Sequence, residues 1–468
     1  MGIVILNGEI VTAAERFRAD LRLDGGTITQ MATQIAPQSG DETIDAGGLC
    51  ILPGFIDPHV HMELGFMGTV SADDFEAGTA SAAAGGTTCI IDFCIPAPGE
   101  SMLVALADWR RRAAKAVTDY TFHMAITSWS DNSADEMRAV VQEHGITSFK
   151  VFMAYRGAIM VDDAALYSVM REAAKLGAVV TVHAENGDAV WQLQRELVAK
   201  GCLGPEFHPV SRPSAVEGEA TGRALMMAGL HGATAYIVHM TCREAVEALA
   251  RAKYAGQRCY GETCPQYLLL DDSVFFEPDF GGSAYVMSPP IRPAGLGHQE
   301  ALWNGLASRL LDSVGTDHCP FLDQQKRMGL EDFTRIPNGA AGVEDRLLLL
   351  HTHGVVGGRF DISRMVEVGS TAPAKIFGLD KKGSIAVGMD ADLVLFDTNG
   401  TSTLGAKIHH SKADRSIFEG FAVRGRVVRT IAAGRTLWDG KSLTTTRGAG
   451  RFISRRPTHF PRYPEARS

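Results

Sequence analysis

Six side chains able to hold metal ions, His59, His61, Lys150, His183, His239 and Asp317, lie between positions 59 and 317, each at the end of a short apolar run that reads as a β-strand. His59 and His61 stand in Ile51-Leu52-Pro53-Gly54-Phe55-Ile56-Asp57-Pro58-His59-Val60-His61. Strand side chains two apart share a face, so both imidazoles can grip one ion. A lone His-x-His pair arises often by chance; the other four residues make it a set. His183 ends Ala178 to His183 and His239 ends Ala235 to His239. Asp317 follows Val314-Gly315-Thr316, where it could alternatively cap a helix.

Lys150 lies in Thr147-Ser148-Phe149-Lys150-Val151-Phe152, pointing into a barrel interior or its rim. Such a lysine could simply be salt-bridged to a carboxylate. Beside metal ligands, a desolvated and partly neutral amine can instead react with carbon dioxide, giving a carbamate whose two oxygens bridge two ions. Two ions held close together lower the pKa of water and polarise a carbonyl. Asp317 would then take the proton and hand it to a departing nitrogen, and Tyr155 could donate its hydroxyl to the developing oxyanion.

These side chains need a scaffold that gathers distant strands. Apolar runs at 51–59, 88–94, 121–126, 147–152, 178–183, 235–239, 258–262 and 311–317 alternate with helical stretches such as Asp163 to Lys175 and Arg243 to Ala255. Eight βα units in this span predict an α/β fold, a (β/α)8 barrel of the TIM type, whose chemistry sits at the carboxyl ends of its strands. Short strands and turns recur at both chain ends, as in 1–50, Val423 to Arg429 and Arg435 to Trp438, and predict a smaller β-sandwich. The expected organisation is 1–52 and 379–446 for the sandwich, 53–378 for the catalytic barrel, and 447–468 for a tail on the surface or on a neighbouring subunit.

Composition narrows the partners. The chain has 468 residues, enough for a large domain and a smaller one, and a net charge of -9 disfavours nucleic acid or anionic membrane. Eight cysteines without Cys-x-x-Cys spacing point to a reducing, cytoplasmic setting. No run approaches transmembrane length. There is no Gly-x-Ser-x-Gly elbow, and Gly434 to Ser442 has the wrong glycine spacing for a phosphate loop.

In this order the residues resemble the amidohydrolase superfamily, and in detail its dihydropyrimidinase (hydantoinase) family, over nearly the whole chain. The likeness is carried by Asp57-Pro58-His59-Val60-His61-Met62-Glu63-Leu64, Phe66-Met67-Gly68-Thr69-Val70, Gly85-Gly86-Thr87-Thr88, Ser148 to Tyr155, His183-Ala184-Glu185-Asn186-Gly187-Asp188, Met287-Ser288-Pro289-Pro290, Thr316-Asp317-His318-Cys319-Pro320 and Ile336-Pro337-Asn338-Gly339. The resemblance implies a barrel with a flanking sandwich, two zinc ions bridged by carboxylated Lys150, and a homotetramer. It also implies that the backbone of Ser288 and Asn338 holds the ring amide while Tyr155 serves the oxyanion. Cobalt or manganese would suit the same ligands.

The expected reaction is hydrolytic opening of a neutral ring with a -CO-NH-CO- edge, a 5,6-dihydropyrimidine or a hydantoin, to an N-carbamoyl amino acid. Leu64, Phe66, Phe152 and Ile159 are the apolar residues expected around a ring substituent. Glu63 stands where relatives that open dihydroorotate carry arginine, and would repel an anion. Gly65 departs from the proline often found in relatives. An allantoinase-like hydrolase is the nearest alternative, and a non-catalytic scaffold protein of the same family the alternative from another class.

Overall fold

Thr87–Cys94 is buried at every position, as a strand covered on both faces must be. In the computed structural model, which describes residues 2–458, this is one of eight barrel strands. They are β1 Phe55–Val60, β2 Thr87–Cys94, β3 Asp119–Ala125, β4 Ser148–Phe152, β5 Val179–His183, β6 Thr234–Ile237, β7 Cys259–Thr263 and β8 Ser313–Val314. Each pairs in parallel with its successor. The barrel nearly closes where Val60 bridges His318 and the His61 amide donates to the His318 carbonyl at 2.8 Å. Buried Arg346 clasps the same seam, its Nη1 donating to the carbonyls of Ile56 on β1 at 2.9 Å and Val314 on β8 at 2.8 Å.

The helices between strands follow their sequence signals. Asp163–Leu176 starts where the Asp162 carboxylate accepts from the Ala165 amide at 2.8 Å, and it stops at Gly177, which adopts the left-handed conformation (φ 64°) that costs glycine least. Arg243–Tyr254 buries Ala245, Val246, Leu249 and Ala252 at three- and four-residue spacing.

Four strand readings are corrected. The run 51–59 is two strands, Cys50–Pro53 and β1, broken at Gly54 where the chain passes from one sheet into another. β8 is only Ser313–Val314, so Asp317 lies beyond the ladder, and β6 stops at Ile237, two residues before His239. Lys150 is the middle residue of β4, not its end.

Strands from both chain ends share one six-stranded sheet, ordered Arg435–Trp438, Ala422–Ala432, Leu393–Thr403, Cys50–Pro53, Glu9–Val11 and Arg16–Arg18. A four-stranded sheet packs on it through Ile5, Ile10, Leu21, Ile51, Leu393 and Ile431. Of the tail, residues 447–458 run beside β3: the Tyr120 amide donates to the Arg451 carbonyl at 2.9 Å, and buried Arg455 donates to Ser148 Oγ at 3.0 Å. Residues 459–468 lie outside the described residues. Among those described, no helix is long and apolar enough to cross a membrane.

Candidate metal centre and active site

β1, β4 and β5, with the segments just past β1, β6 and β8, bring all six side chains to one chamber of about 80 Å³, lined by His59, His61, Lys150, His183, His239 and Asp317. Asp317 Oδ1 lies 3.1 Å from both His59 Nε2 and His61 Nε2. Ligand atoms of His59, His239 and Asp317 fall within 4.8 Å of one another, and the rings of His183 and His239 are 4.7 Å apart. Register places Lys150 opposite Thr181, two residues deeper than His183, with Nζ 4.8 Å from the Phe93 ring centre.

Carboxylates behind the imidazoles, not singled out from sequence, aim them. Glu262 on β7 lies 2.7 Å from His59 Nδ1 and accepts from the His239 amide at 3.0 Å. Glu185 lies 2.7 Å from His183 Nε2 and is itself held by Arg212 at 2.6 Å. Each occupies one ring nitrogen and leaves the other to face the chamber. The available signals were the spacing His183-Ala184-Glu185 and the strand position of Glu262.

The residues fit a cation. His59 Nε2, His61 Nδ1, Lys150 Nζ and His239 Nδ1 are buried without a hydrogen-bond partner. An unsatisfied buried polar atom costs about 1–3 kcal/mol, and a cation among these nitrogens and Asp317 Oδ1, 3.1 Å from His59 Nε2, would relieve that cost. Burial brings His61 down to about 4 and also lowers His183 and His239, leaving neutral imidazoles. At His59 burial opposes the charge, yet Glu262 and Asp317 raise the pKa to about 9: this corner attracts positive charge. Burial works against the Asp317 carboxylate, but His59 and His61 hold it well below the usual range. Burial brings Lys150 down to about 7, partly countered by Asp317 and Glu262.

Backbone strain gathers here too. Tyr155, His239 and Asp317 have φ of 69°, 40° and 54°, a left-handed conformation costing a non-glycine residue about 1–3 kcal/mol. Among enzymes such outliers cluster where side chains must be aimed.

Leu64, Phe66, Phe152, Tyr155, Ile159, Ser288 and Asn338 line the same chamber. The Tyr155 and Phe66 rings meet edge to face at 5.2 Å. Burial raises the Tyr155 pKa, so its hydroxyl remains a donor. Asn338 Nδ2 donates to Ser288 Oγ at 3.1 Å; among the described residues no hydrogen bond occupies the backbone N–H or C=O of either. Glu63 is placed differently from expectation. It lines an outer vestibule of about 1010 Å³ and is ion-paired with Lys115, outside the inner chamber, whose described lining residues include no arginine.

A profile of the amidohydrolase family matches residues 50–437. D-hydantoinase of Geobacillus stearothermophilus is 45% identical over 455 residues, covering 97% of this chain and 96% of that protein. The chain belongs to the amidohydrolase family, in its dihydropyrimidinase and hydantoinase branch. Dihydropyrimidinase of Dictyostelium discoideum is 42% identical over 458 residues, covering 97% and 91% of the two chains. The crystal structure of dihydropyrimidinase from Brevibacillus agri superposes with a TM-score of 0.96 at 43% identity, covering 99% of this chain and 100% of that one. In this amidohydrolase the histidine and aspartate groups are those of a site for a pair of metal ions.

Proposed function

We propose that the chamber opens the ring of 5,6-dihydropyrimidines such as dihydrouracil and dihydrothymine, and of hydantoins, to N-carbamoyl amino acids. The protein is a hydrolytic cyclic amidase by family. The observation that carries the reading is the convergence of six donors, with four unpartnered nitrogens among them, on an anionic corner beside the free backbone edges of Ser288 and Asn338.

His59, His61, His183, His239 and Asp317 would hold two zinc ions, with Lys150 carboxylated at Nζ as the bridge; cobalt or manganese suits the same donors. Support for the bridge is the burial of Lys150 Nζ and its pKa of about 7, which leaves much of the amine neutral and able to add to carbon dioxide. When bound, the cation pair lowers the pKa of water and polarises the ring carbonyl.

The chain's own residues do the rest. Asp317, kept as a carboxylate, takes the proton from the attacking water and returns it to the ring nitrogen as the C–N bond breaks. The Tyr155 hydroxyl donates to the oxygen on which charge develops. The N–H and C=O groups of Ser288 and Asn338 grip the -CO-NH-CO- edge, and Leu64, Phe66, Phe152 and Ile159 face the ring substituent, which has the vestibule beyond it. A homotetrameric, cytoplasmic enzyme completes the reading; unpaired cysteines at all eight positions support the reducing setting, and the tetramer is carried over from the family resemblance.

The test is a turnover panel of dihydrouracil, hydantoin, 5-substituted hydantoins, allantoin and dihydroorotate, with and without chelator. Ring opening of the first three that chelation abolishes is the expected result. Turnover insensitive to chelation, or none by metal-replete protein, would overturn it.

A further inference from the structure

Two segments remote in sequence, 286–288 and 337–339, meet at the chamber wall. The Gly339 amide donates to the Val286 carbonyl at 3.0 Å, beside the Asn338 to Ser288 bond. Behind this junction, Lys326 ends the short helix Asp323–Lys326 and is 3% exposed. Its Nζ donates to the carbonyls of Val286 at 2.9 Å, Pro337 at 2.7 Å and Gly339 at 2.7 Å. Burial pulls Lys326 down to about 7 and no carboxylate among the described residues pairs with it, but three carbonyl acceptors around Nζ take one proton each and so favour the ammonium form.

A buried ammonium without a counter-ion is costly, and an apolar residue of similar length would fill the space without that cost. What only the ammonium supplies is a three-way tie between two loops. One foot stands on the 286 segment and two on the residues flanking Asn338. From the other direction, His208 Nε2 bonds the Met287 carbonyl at 2.9 Å, fixing how this segment presents Ser288.

We infer that Lys326 is a positioning residue that sets the separation of the Ser288 and Asn338 backbones, and thereby the slot that takes the amide edge of the ring. The inference rests on the ring-opening reading for its substrate but not for its geometry. Lys326 touches neither the donors of the metal centre nor the chamber, so its loss should alter ring binding and leave the metal centre intact.

The test uses the full-length, metal-loaded protein and Lys326→Met, which keeps the stem and removes the donors. In the variant, KM for dihydrouracil should rise about tenfold while kcat and metal content stay within about threefold of wild type. Amide hydrogen exchange should quicken at Gly339 and not in the barrel strands. A folded, metal-loaded variant with unchanged KM and unchanged exchange at Gly339 would overturn the inference. If Lys326→Met does not fold, Lys326→Gln, which retains two N–H donors, decides: a smaller KM rise with faster Gly339 exchange supports it, and wild-type values of both sink it. Should wild type open no ring at all, the ring-opening reading fails, and Gly339 exchange alone decides the role of Lys326.

Discussion

Glu262 Oε1 lies 2.7 Å from Nδ1 of His59. That contact puts the proton on Nδ1 and turns Nε2 toward Asp317. Glu262 also meets the Tyr236 hydroxyl at 2.7 Å and is fully buried, so its charge is aimed at the centre from behind. Glu262→Gln should therefore cost about 10–100-fold in metal affinity or activity, the usual range for such supporting carboxylates. Metal titration by calorimetry checks it; wild-type affinity would show that His59 needs no such support.

If Lys150 is the proposed bridge, Lys150→Ala should lose metal and turnover together, with turnover down by at least about 100-fold, since losing a ligand to both ions should cost more than losing a supporting contact. Elemental analysis of the purified variant is the measurement. Full occupancy by two ions would argue against carboxylation.

Asp317→Asn separates holding from proton transfer. The amide keeps an oxygen donor but takes no proton, so much of the metal should remain while kcat falls about 10²–10⁴-fold. Single-turnover kinetics on metal-replete variant decide; unchanged kcat removes Asp317 from the proton shuttle.

In metal-free, carbon dioxide-free protein, Lys150 titrates at about 7 in the folded chain against 10.5 ordinarily. Between those values the unfolded chain holds a proton that the folded chain has released. Stability therefore climbs as pH rises from about 7 to about 10.5 and gains nothing further from this group above that. Melting temperature against pH should show a shallower rise in Lys150→Met; parallel curves would mean that Lys150 keeps its charge when buried.

His59 and His61 were legible from period-two alternation and His183 from its strand-end position; Lys150 sits inside its strand and His239 and Asp317 lie past theirs, yet one chamber is lined by all six. Helix Asp163–Leu176 was legible to within one residue, read as Asp163 to Lys175, because apolar residues at three- and four-residue spacing are also a local signal. The break at Gly54 was hidden because Pro53 and Phe55 are both buried, so hydropathy runs on unbroken while the sheet changes. Lys326 and Arg346 could not be read at all: Lys326 bonds only backbone carbonyls, which carry no side-chain signature, and the partners of Arg346 are remote in sequence, Ile56 being 290 positions away. Glu63 misled because its neighbour in space, Lys115, is remote in sequence.

The crossing at Gly54 bears on any attempt to pare the protein down to a minimal catalyst. His59 is five residues past it, on a ribbon whose upstream half, Cys50–Pro53, is clamped between Glu9–Val11 and Leu393–Thr403. Truncating either terminus would remove one jaw of that clamp and let β1 slide, and a slip of a single residue would turn both imidazoles of the first strand out of the chamber. The flanking sheets thus act as the anchor of the catalytic register, and the barrel cannot be harvested without them.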